Sequence, residues 1–119
     1  MADITSAGYD DIRAYIKNNW KIIKLYDSGN NEKISLEIGV DNRIGVSWTA
    51  GSSKIIYTLL LKGSDSDISP LLPLTLAGIG IFKNGVNSAL VYEIFAPQTI
   101  SSTNDVLYLT LELQIPKEE

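Results

Sequence analysis

The stretch that decides the fold runs from Gly78 to Ile115: GIGIFKNGVNSALVYEIFAPQTISSTNDVLYLTLELQI. Apolar and polar residues alternate along most of it, which is typical of β-strands whose two faces meet different surroundings. Asn84-Gly85 lies between two such runs, and this dipeptide is the strongest short signal for a tight hairpin. The last run, Val106–Ile115, alternates most regularly, with its leucines on one face. The stretch therefore predicts antiparallel strands joined by short turns.

Upstream, the same alternation predicts further strands, separated by turns rich in glycine, asparagine, aspartate and serine. The seven predicted strands are Trp20–Asp27, Lys33–Val40, Ile44–Ala50, Lys54–Lys62, Leu74–Phe82, Asn87–Ala96 and Val106–Ile115. The longest loop, Gly63–Pro73, contains two prolines and is predicted to cross between two sheets. Short strands at this spacing are typical of a sandwich or barrel. Residues 1–119 are therefore predicted to form one mainly-β domain, an antiparallel β-sandwich or small barrel of seven strands.

A helical pattern precedes the first strand. One apolar stripe repeats at spacings of three and four residues: Tyr9, Ile12, Ile16 and Trp20. Thr5 or Ser6 can cap the start of a helix, and Asp10 and Asp11 are predicted in its first turn, where the helix dipole favours negative charge. We expect one N-terminal helix over about Ala7–Asn18, packed on a sheet through its apolar stripe.

The faces of three strands give more specific predictions. Lys54–Lys62 is apolar on both faces, so it is predicted to be a central strand or to be covered on its second face, by the helix or by a partner subunit. Gly78 and Gly80 share a face and leave it bare, which predicts close packing of a backbone or an aromatic ring there. One face of the last strand is predicted to be core: Leu107, Leu109, Leu111, Leu113 and Ile115.

The composition restricts the chemistry. The 119 residues include 45% apolar and 20% charged residues, with no cysteine and no histidine. This composition is typical of a folded domain. Disulfides, thiolate nucleophiles and the usual catalytic triads and zinc ligands are excluded. The net charge is −4 and no basic stripe is present, so nucleic-acid binding is not predicted.

The pattern of the sequence argues against a membrane helix and a secretion signal. No apolar run approaches the roughly 18 residues of a membrane helix. The start of the chain, MADITSAGYDD, is polar and acidic, which is not the pattern of a signal peptide. We therefore expect a protein that is made in the cytoplasm and acts there, or in something assembled there, without a membrane partner.

Two carboxylate pairs are the residues that most resemble part of a catalytic or metal site. Asp65 and Asp67 resemble the start of a calcium loop, but the glycine and the closing glutamate that such a loop needs are missing. Glu93 and Glu112 could face each other across adjacent strands like a glycosidase pair, but no cleft is indicated between them. We predict no catalytic residue, no metal ligand and no cofactor, and hence no enzymatic activity.

Apolar surface suggests an interaction role instead. A two-layer sandwich with one helix leaves part of its apolar strand faces uncovered, and folded proteins tend to bury large apolar patches in interfaces. A homo-oligomer is therefore predicted, with Tyr57, Tyr92 and Tyr108 near the contacts. Core packing is the alternative explanation for these tyrosines.

A resemblance adds to this prediction. The segment LTLAGIGIFKNGVNSALVYEIFAPQTISSTNDVLYLTLELQI, from Leu74 to Ile115, resembles a module common in structural proteins of tailed bacteriophages. The shared features are a GIGIF-like strand, a short turn at Lys83–Gly85, an ALVYEIFAPQTI-type strand, a polar SSTNDVL turn and a final alternating strand. YDDIRAYIKNNWKIIKL and KGSDSDI are similar more loosely to small virion proteins of this size.

The resemblance implies a β-sandwich protein of a phage virion, either capsid-decorating, head-associated or tail-associated. Such a protein packs against copies of itself and against other virion proteins, and is made in the host bacterial cytoplasm. No site residues are carried over. Two alternatives remain open: a carbohydrate-binding or adhesin-like module that uses surface aromatics, and a small barrel that carries a lipid or another ligand. A symmetric oligomer would favour the role in a virion. A monomer that binds glycans would favour the carbohydrate-binding module.

Overall fold

The structure, a computed structural model, describes residues 2–116 and is mainly β, as the sequence predicts. A short 3₁₀ turn covers Ser69–Leu71. The main elements are α1 (Ser6–Asn19), β1 (Ile22–Tyr26), β2 (Glu32–Glu37), β3 (Ile44–Ser47), β4 (Lys54–Lys62), β5 (Leu74–Phe82), β6 (Val91–Ile100) and β7 (Val106–Gln114). No helix within residues 2–116 combines the length and apolar character that crossing a membrane requires.

The strands form two antiparallel sheets, which confirms the predicted sandwich. One sheet has the order β2-β1-β5-β6 and the other has the order β3-β4-β7. β1 and β2 form the predicted hairpin, with Ile23 opposite Leu36. The long loop after β4 crosses from the three-stranded sheet to the four-stranded sheet, also as predicted.

The core lies between the two sheets. β4 supplies it with four alternate residues that are all buried: Ile55, Tyr57, Leu59 and Leu61. Apolar residues of β1, β2 and β5 meet them from the other layer: Ile23, Leu25, Ile34, Leu36, Leu76, Ile79 and Ile81. The outer face of β4, with Ile56, Thr58 and Leu60, is half-buried, and α1 does not pack along this strand within the described residues. Of the explanations that the sequence offered for two apolar faces, the structure confirms that β4 is the central strand of its sheet.

The N-terminal helix begins as predicted, but its contacts differ. The side chain of Thr5 caps it by accepting a hydrogen bond from the backbone N–H of Gly8 at 3.2 Å. Because the helix begins at Ser6, no acidic residue lies in its first turn, and the expected placement of Asp10 and Asp11 there is wrong.

The buried face of the helix also differs from the predicted stripe. Ile16 is in the core, but Ile12 is exposed and Arg13 is buried in its place. Arg13 Nε donates to the carbonyl of Ile115 at 2.7 Å, and Nη1 donates to Asp10 at 2.8 Å. Asp10 in turn accepts from the backbone N–H of Gly51 at 3.1 Å. These contacts hold the helix at one end of the sandwich. There Arg13 reaches the backbone just after β7, and Asp10 reaches the backbone of the turn after β3.

Several strand boundaries differ from the prediction; β3, predicted as Ile44–Ala50, ends at Ser47, and β2 and β6 also differ. β2 ends at Glu37, because the chain turns through Gly39, which has a φ of +90°, and Val40 is 79% exposed instead of facing the core. β6 begins at Val91 and ends at Ile100, so it lies four residues later than the predicted strand Asn87–Ala96. Its path includes a register shift opposite Ala77, which simple alternation does not reveal.

The bare face at Gly78 and Gly80 is packed by aromatic rings, as predicted. A Cβ on Gly78 would lie 2.7 Å from the hydroxyl of Tyr92, and one on Gly80 would lie 2.9 Å from the ring of Phe82. Tyr92 also meets the ring of Tyr26 edge to face, with 5.5 Å between ring centres. The two glycines therefore make room for these rings on the outer face of the four-stranded sheet.

A close contact joins the loop after β4 to the turn between β6 and β7. The backbone N–H of Gly63 donates to the carbonyl of Asp105 at 2.9 Å. A Cβ on Gly63 would overlap the carbonyl oxygen of Ser102 and lie 2.8 Å from its carbonyl carbon. The two connections that cross from one sheet to the other, the loop after β4 and the turn between β6 and β7, therefore contact each other through their backbones.

Candidate interaction surface

Two of the four edge strands are protected against pairing with another chain. β2 carries Glu32, Lys33 and Glu37, and its charges engage in ion pairs such as Lys24–Glu32 at 3.1 Å. β3 has only four residues. Charged side chains and short length are the usual ways in which proteins keep an edge strand from pairing with other molecules.

The other two edge strands lack this charge and this shortness, although β6 contains Pro97 and a register shift opposite Ala77. β6 has ten residues and β7 has nine, and each carries a single charged residue, Glu93 and Glu112. Residues 101–105 join the two strands directly. β6 and β7 form adjacent edges of the two stacked sheets. One side of the sandwich therefore presents two long edges with little charge. We call this side, formed by β6 and β7, the β6–β7 side.

Apolar side chains are exposed along both strands. On the outer face of the four-stranded sheet, Tyr92 is 44% exposed and Ile94 is 76% exposed. On the outer face of the three-stranded sheet, Val106 and Tyr108 are exposed, Tyr108 to 63%. Tyr92 and Tyr108 point away from opposite faces of the sandwich, because each alternates with residues that face its interior. The two predicted contact tyrosines thus belong to one side of the molecule but not to one patch.

Tyr57 is not on any surface. It is 1% exposed, and its hydroxyl donates to the carbonyl of Trp20 at 3.0 Å. Burial raises the pKa of the Tyr57 hydroxyl. The placement of Tyr57 near an intermolecular contact is therefore wrong, since it faces the interior from the central strand β4.

A cleft opens between the two edges. It has a volume of about 290 Å³. Its lining is mostly apolar: Ile79, Glu93, Phe95, Ala96, Gln98, Leu109, Thr110 and Leu111. Leu111 is buried, whereas Leu107, Leu109 and Leu113 are only half-buried. The predicted core face of β7 thus faces the interior, but much of it is only partly covered because the cleft is open.

A second hollow lies on the outer side of β6 and has a volume of about 440 Å³. The turn after β1 supplies its polar part, including Asp27 and Asn30, and β6 supplies Tyr92, Ile94 and Pro97. The hydroxyl of Tyr92 donates to Oδ1 of Asn30 at 2.7 Å. The hollow therefore combines a fixed aromatic ring with amide and carboxylate groups.

The two carboxylate pairs singled out in the sequence have different surroundings in the structure. Glu93 and Glu112 belong to different sheets, so they do not lie on neighbouring hydrogen-bonded strands. Glu112 faces Lys54, with 3.7 Å between Oε2 and Nζ. Among residues 2–116, no group of three or more histidine, cysteine, aspartate or glutamate residues is placed to hold a metal ion.

Asp65 and Asp67 belong to a cluster that the sequence did not predict. Arg43 donates to Asp41 at 2.6 and 2.9 Å, to Asp67 at 2.8 and 2.9 Å, and to Asp65 at 3.0 Å. The guanidinium thereby ties the long loop to the turn before β3. Hydrogen bonds from Arg43 lower the pKa of both Asp41 and Asp67. These carboxylates therefore bind the guanidinium of Arg43, whereas the carboxylates of a calcium loop would bind the ion.

We predict that Arg43→Ala lowers the free energy of unfolding by about 2 kcal/mol at neutral pH, because three carboxylates then lie together without their cation. The pKa values of Asp41 and Asp67 are lower in the folded protein than in the unfolded chain. The stability from these groups is therefore present above about pH 4 and lost as the pH falls further. Urea denaturation of both proteins from pH 7 to pH 3 should show the difference between them shrinking on acidification.

The matched control for this prediction is Lys54→Ala, which removes one cation of an exposed pair and should change the stability by less than about 0.5 kcal/mol. A stability difference between wild type and Arg43→Ala that stays constant over this pH range would contradict the prediction.

Comparisons with protein-family profiles, with curated proteins and with solved structures find no match for this chain.

Proposed function

We propose that the protein is a non-enzymatic structural component that acts by assembly, with the β6–β7 side as its contact surface. One observation carries the proposal: the two long, weakly charged edges lie side by side, whereas the opposite edges are charged or short. Exposed apolar residues and an open apolar cleft occur on that same side. A surface of this kind is typical of a place where another protein binds.

We further propose that the assembly is a phage virion, in which the protein decorates the capsid or belongs to the head or the tail. The support is the resemblance of Leu74–Ile115 to structural proteins of tailed bacteriophages. This segment contains β5, β6 and β7, so it includes the whole contact surface. The partners would be copies of the protein itself and other virion proteins.

A structural role is also consistent with the side chains. The sequence has no histidine and no cysteine. Arg43 engages three of the aspartates, and Lys54 faces Glu112. These acidic groups are therefore held by cations of the same chain.

The proposal is tested by Ile94→Lys. Ile94 is largely exposed in the described chain, so the variant should keep the circular dichroism spectrum of the wild type. We expect the wild type to self-associate, and the variant to raise the dissociation constant at least about tenfold, since a buried lysine opposes an apolar contact. Size-exclusion chromatography with light scattering over a concentration series measures this.

Val40→Lys is the matched control, because Val40 is equally exposed but lies in the turn after β2. It should leave the association unchanged. A wild type that stays monomeric at high concentration and does not join particles when mixed with phage components would refute the proposed function.

The second hollow favours one other role, that of a carbohydrate-binding module. Tyr92 offers a ring for stacking on a sugar, and Asp27 and Asn30 offer polar groups beside it. A glycan array tests this role. Binding by a monomer that is lost in Tyr92→Ala and kept in Tyr108→Ala would favour carbohydrate recognition over assembly.

A further inference from the structure

We propose that the cleft between β6 and β7 binds a small organic cation, a molecule with an apolar body and a protonated amine, and that Glu93 recognises the amine. The inference goes beyond the proposed function, because it concerns a ligand that one copy of the chain binds by itself.

The lining of the cleft suits an apolar body. Its large apolar side chains are Ile79 and Leu111, which are buried, and Phe95 and Leu109, which are half-buried. The volume of about 290 Å³ corresponds to about ten water-sized groups, near the lower end for sites that bind small molecules. A single aromatic ring with a short chain has this size.

Glu93 faces the cleft from the inner side of β6. It lies directly opposite Ile79 of β5, and Gln98 lies opposite Leu76. Residues that oppose each other on paired strands project to the same face, and both Ile79 and Leu76 are buried in the core. Two polar side chains therefore occupy positions where alternation would place apolar ones, and both line the cleft.

An irregularity of β6 lies between these two polar residues. Phe95, Ala96 and Pro97 lie opposite the single residue Ala77. Phe95 and Ala96 both line the cleft, although neighbours in a regular strand point to opposite faces. Bulges redirect side chains in this way and are frequent beside functional sites. The irregularity therefore brings an additional residue to the cleft, between the two polar groups.

The charge of the cleft favours one class of ligand. Glu93 is the only charged residue of the described chain that lines it, and no ion pair among residues 2–116 includes Glu93. A protonated amine on an apolar body would gain both the ion pair and the apolar contacts, whereas a carboxylate on the same body would be repelled. An inward charge on an edge strand also discourages strand pairing, but that effect needs no apolar space beside the charge.

Three compounds with similar apolar bodies test the proposal: phenethylamine, phenethyl alcohol and phenylacetate. Each is added at neutral pH to isotope-labelled protein, at a concentration where light scattering finds monomers, and the amide signals are followed by NMR. We expect phenethylamine to shift signals of β6 and β7 around the cleft, with a dissociation constant of about 1–10 mM, as is usual for so small a ligand. The alcohol should bind at least about threefold more weakly, and phenylacetate at least about tenfold more weakly.

Glu93→Gln and Glu112→Gln form a matched pair of variants. Each removes one negative charge from an edge strand, but only Glu93 lines the cleft, and Glu112 faces Lys54. Glu93→Gln should weaken the binding of phenethylamine at least about threefold and make the amine and the alcohol bind alike. Glu112→Gln should leave the dissociation constant of the amine within about 1.5-fold of the wild type. Ala96→Leu, which fills part of the cleft, should weaken all three compounds.

Circular dichroism checks that each variant is folded. Equal effects of Glu93→Gln and Glu112→Gln would show a general attraction of cations to the negative chain and would overturn the proposal. Equal binding of the amine and the alcohol by the wild type would overturn recognition by Glu93. Signal shifts away from the cleft, or no saturable binding of the amine, would overturn the site, and a wild type that self-associates would then leave the proposed function intact. A wild type that binds the amine in the cleft, but stays monomeric and joins no particle, would overturn only the proposed function.

Discussion

Gly63→Ala is expected to lower the free energy of unfolding by about 3 kcal/mol, or to prevent folding, because the new Cβ would make a closer contact than at any other glycine of residues 2–116. The added Cβ would overlap the carbonyl oxygen of Ser102, which is backbone and has no rotamer to change. The backbone hydrogen bond from Gly63 to Asp105 prevents the loop from simply moving away. Urea denaturation followed by circular dichroism measures the loss.

Gly45→Ala is the matched control for this change. It also adds a methyl group at a glycine beside β4, but the nearest atom to the new Cβ is Thr58 Oγ1 at 3.9 Å, an ordinary contact. It should change stability by about 0.5 kcal/mol or less, and in a strand alanine can be favoured over glycine. Equal losses in the two variants would mean that the Gly63 contact is not the cause.

Leu111→Ala is expected to cost about 2–5 kcal/mol, because Leu111 is buried beside Tyr57 and its removal leaves a cavity in the core. Leu109→Ala should cost less, about 1–2 kcal/mol, since Leu109 is half-buried at the open cleft and water or neighbouring side chains can fill the space. Denaturation at low protein concentration compares them. A larger loss for Leu109→Ala would show that the cleft is closed in solution.

Much of the fold follows from local sequence patterns. Alternation predicted all seven strands because most of them have one face toward the core, and Asn84-Gly85 and the other turn signals separated them. The helix start was predictable because a cap at Thr5 is a local contact. The end of β2 was missed because alternation continued to Val40 although Gly39 had already turned the chain.

The candidate surface was predictable only in part. Tyr57 and Tyr92 both lie among apolar neighbours, and alternation alone cannot tell which face of a strand turns inward when both faces are apolar. The burial of Arg13 depends on a carbonyl at the far end of the chain, Ile115. The Arg43 cluster joins residues more than 20 positions apart, so only the folded chain brings them together. The low charge of β6 and β7 is the signal in the sequence that could have indicated their side.

The charged β2 edge has a consequence for the size of any assembly. Joining two copies through β6 would merge two four-stranded sheets into one of eight strands, and β2 would then form both outer borders. Lys33 and Glu37 would line those borders. Neither border would therefore offer a neutral edge to a third molecule. Growth of this sheet by strand addition would then stop at two copies, because only charged edges would remain at its borders.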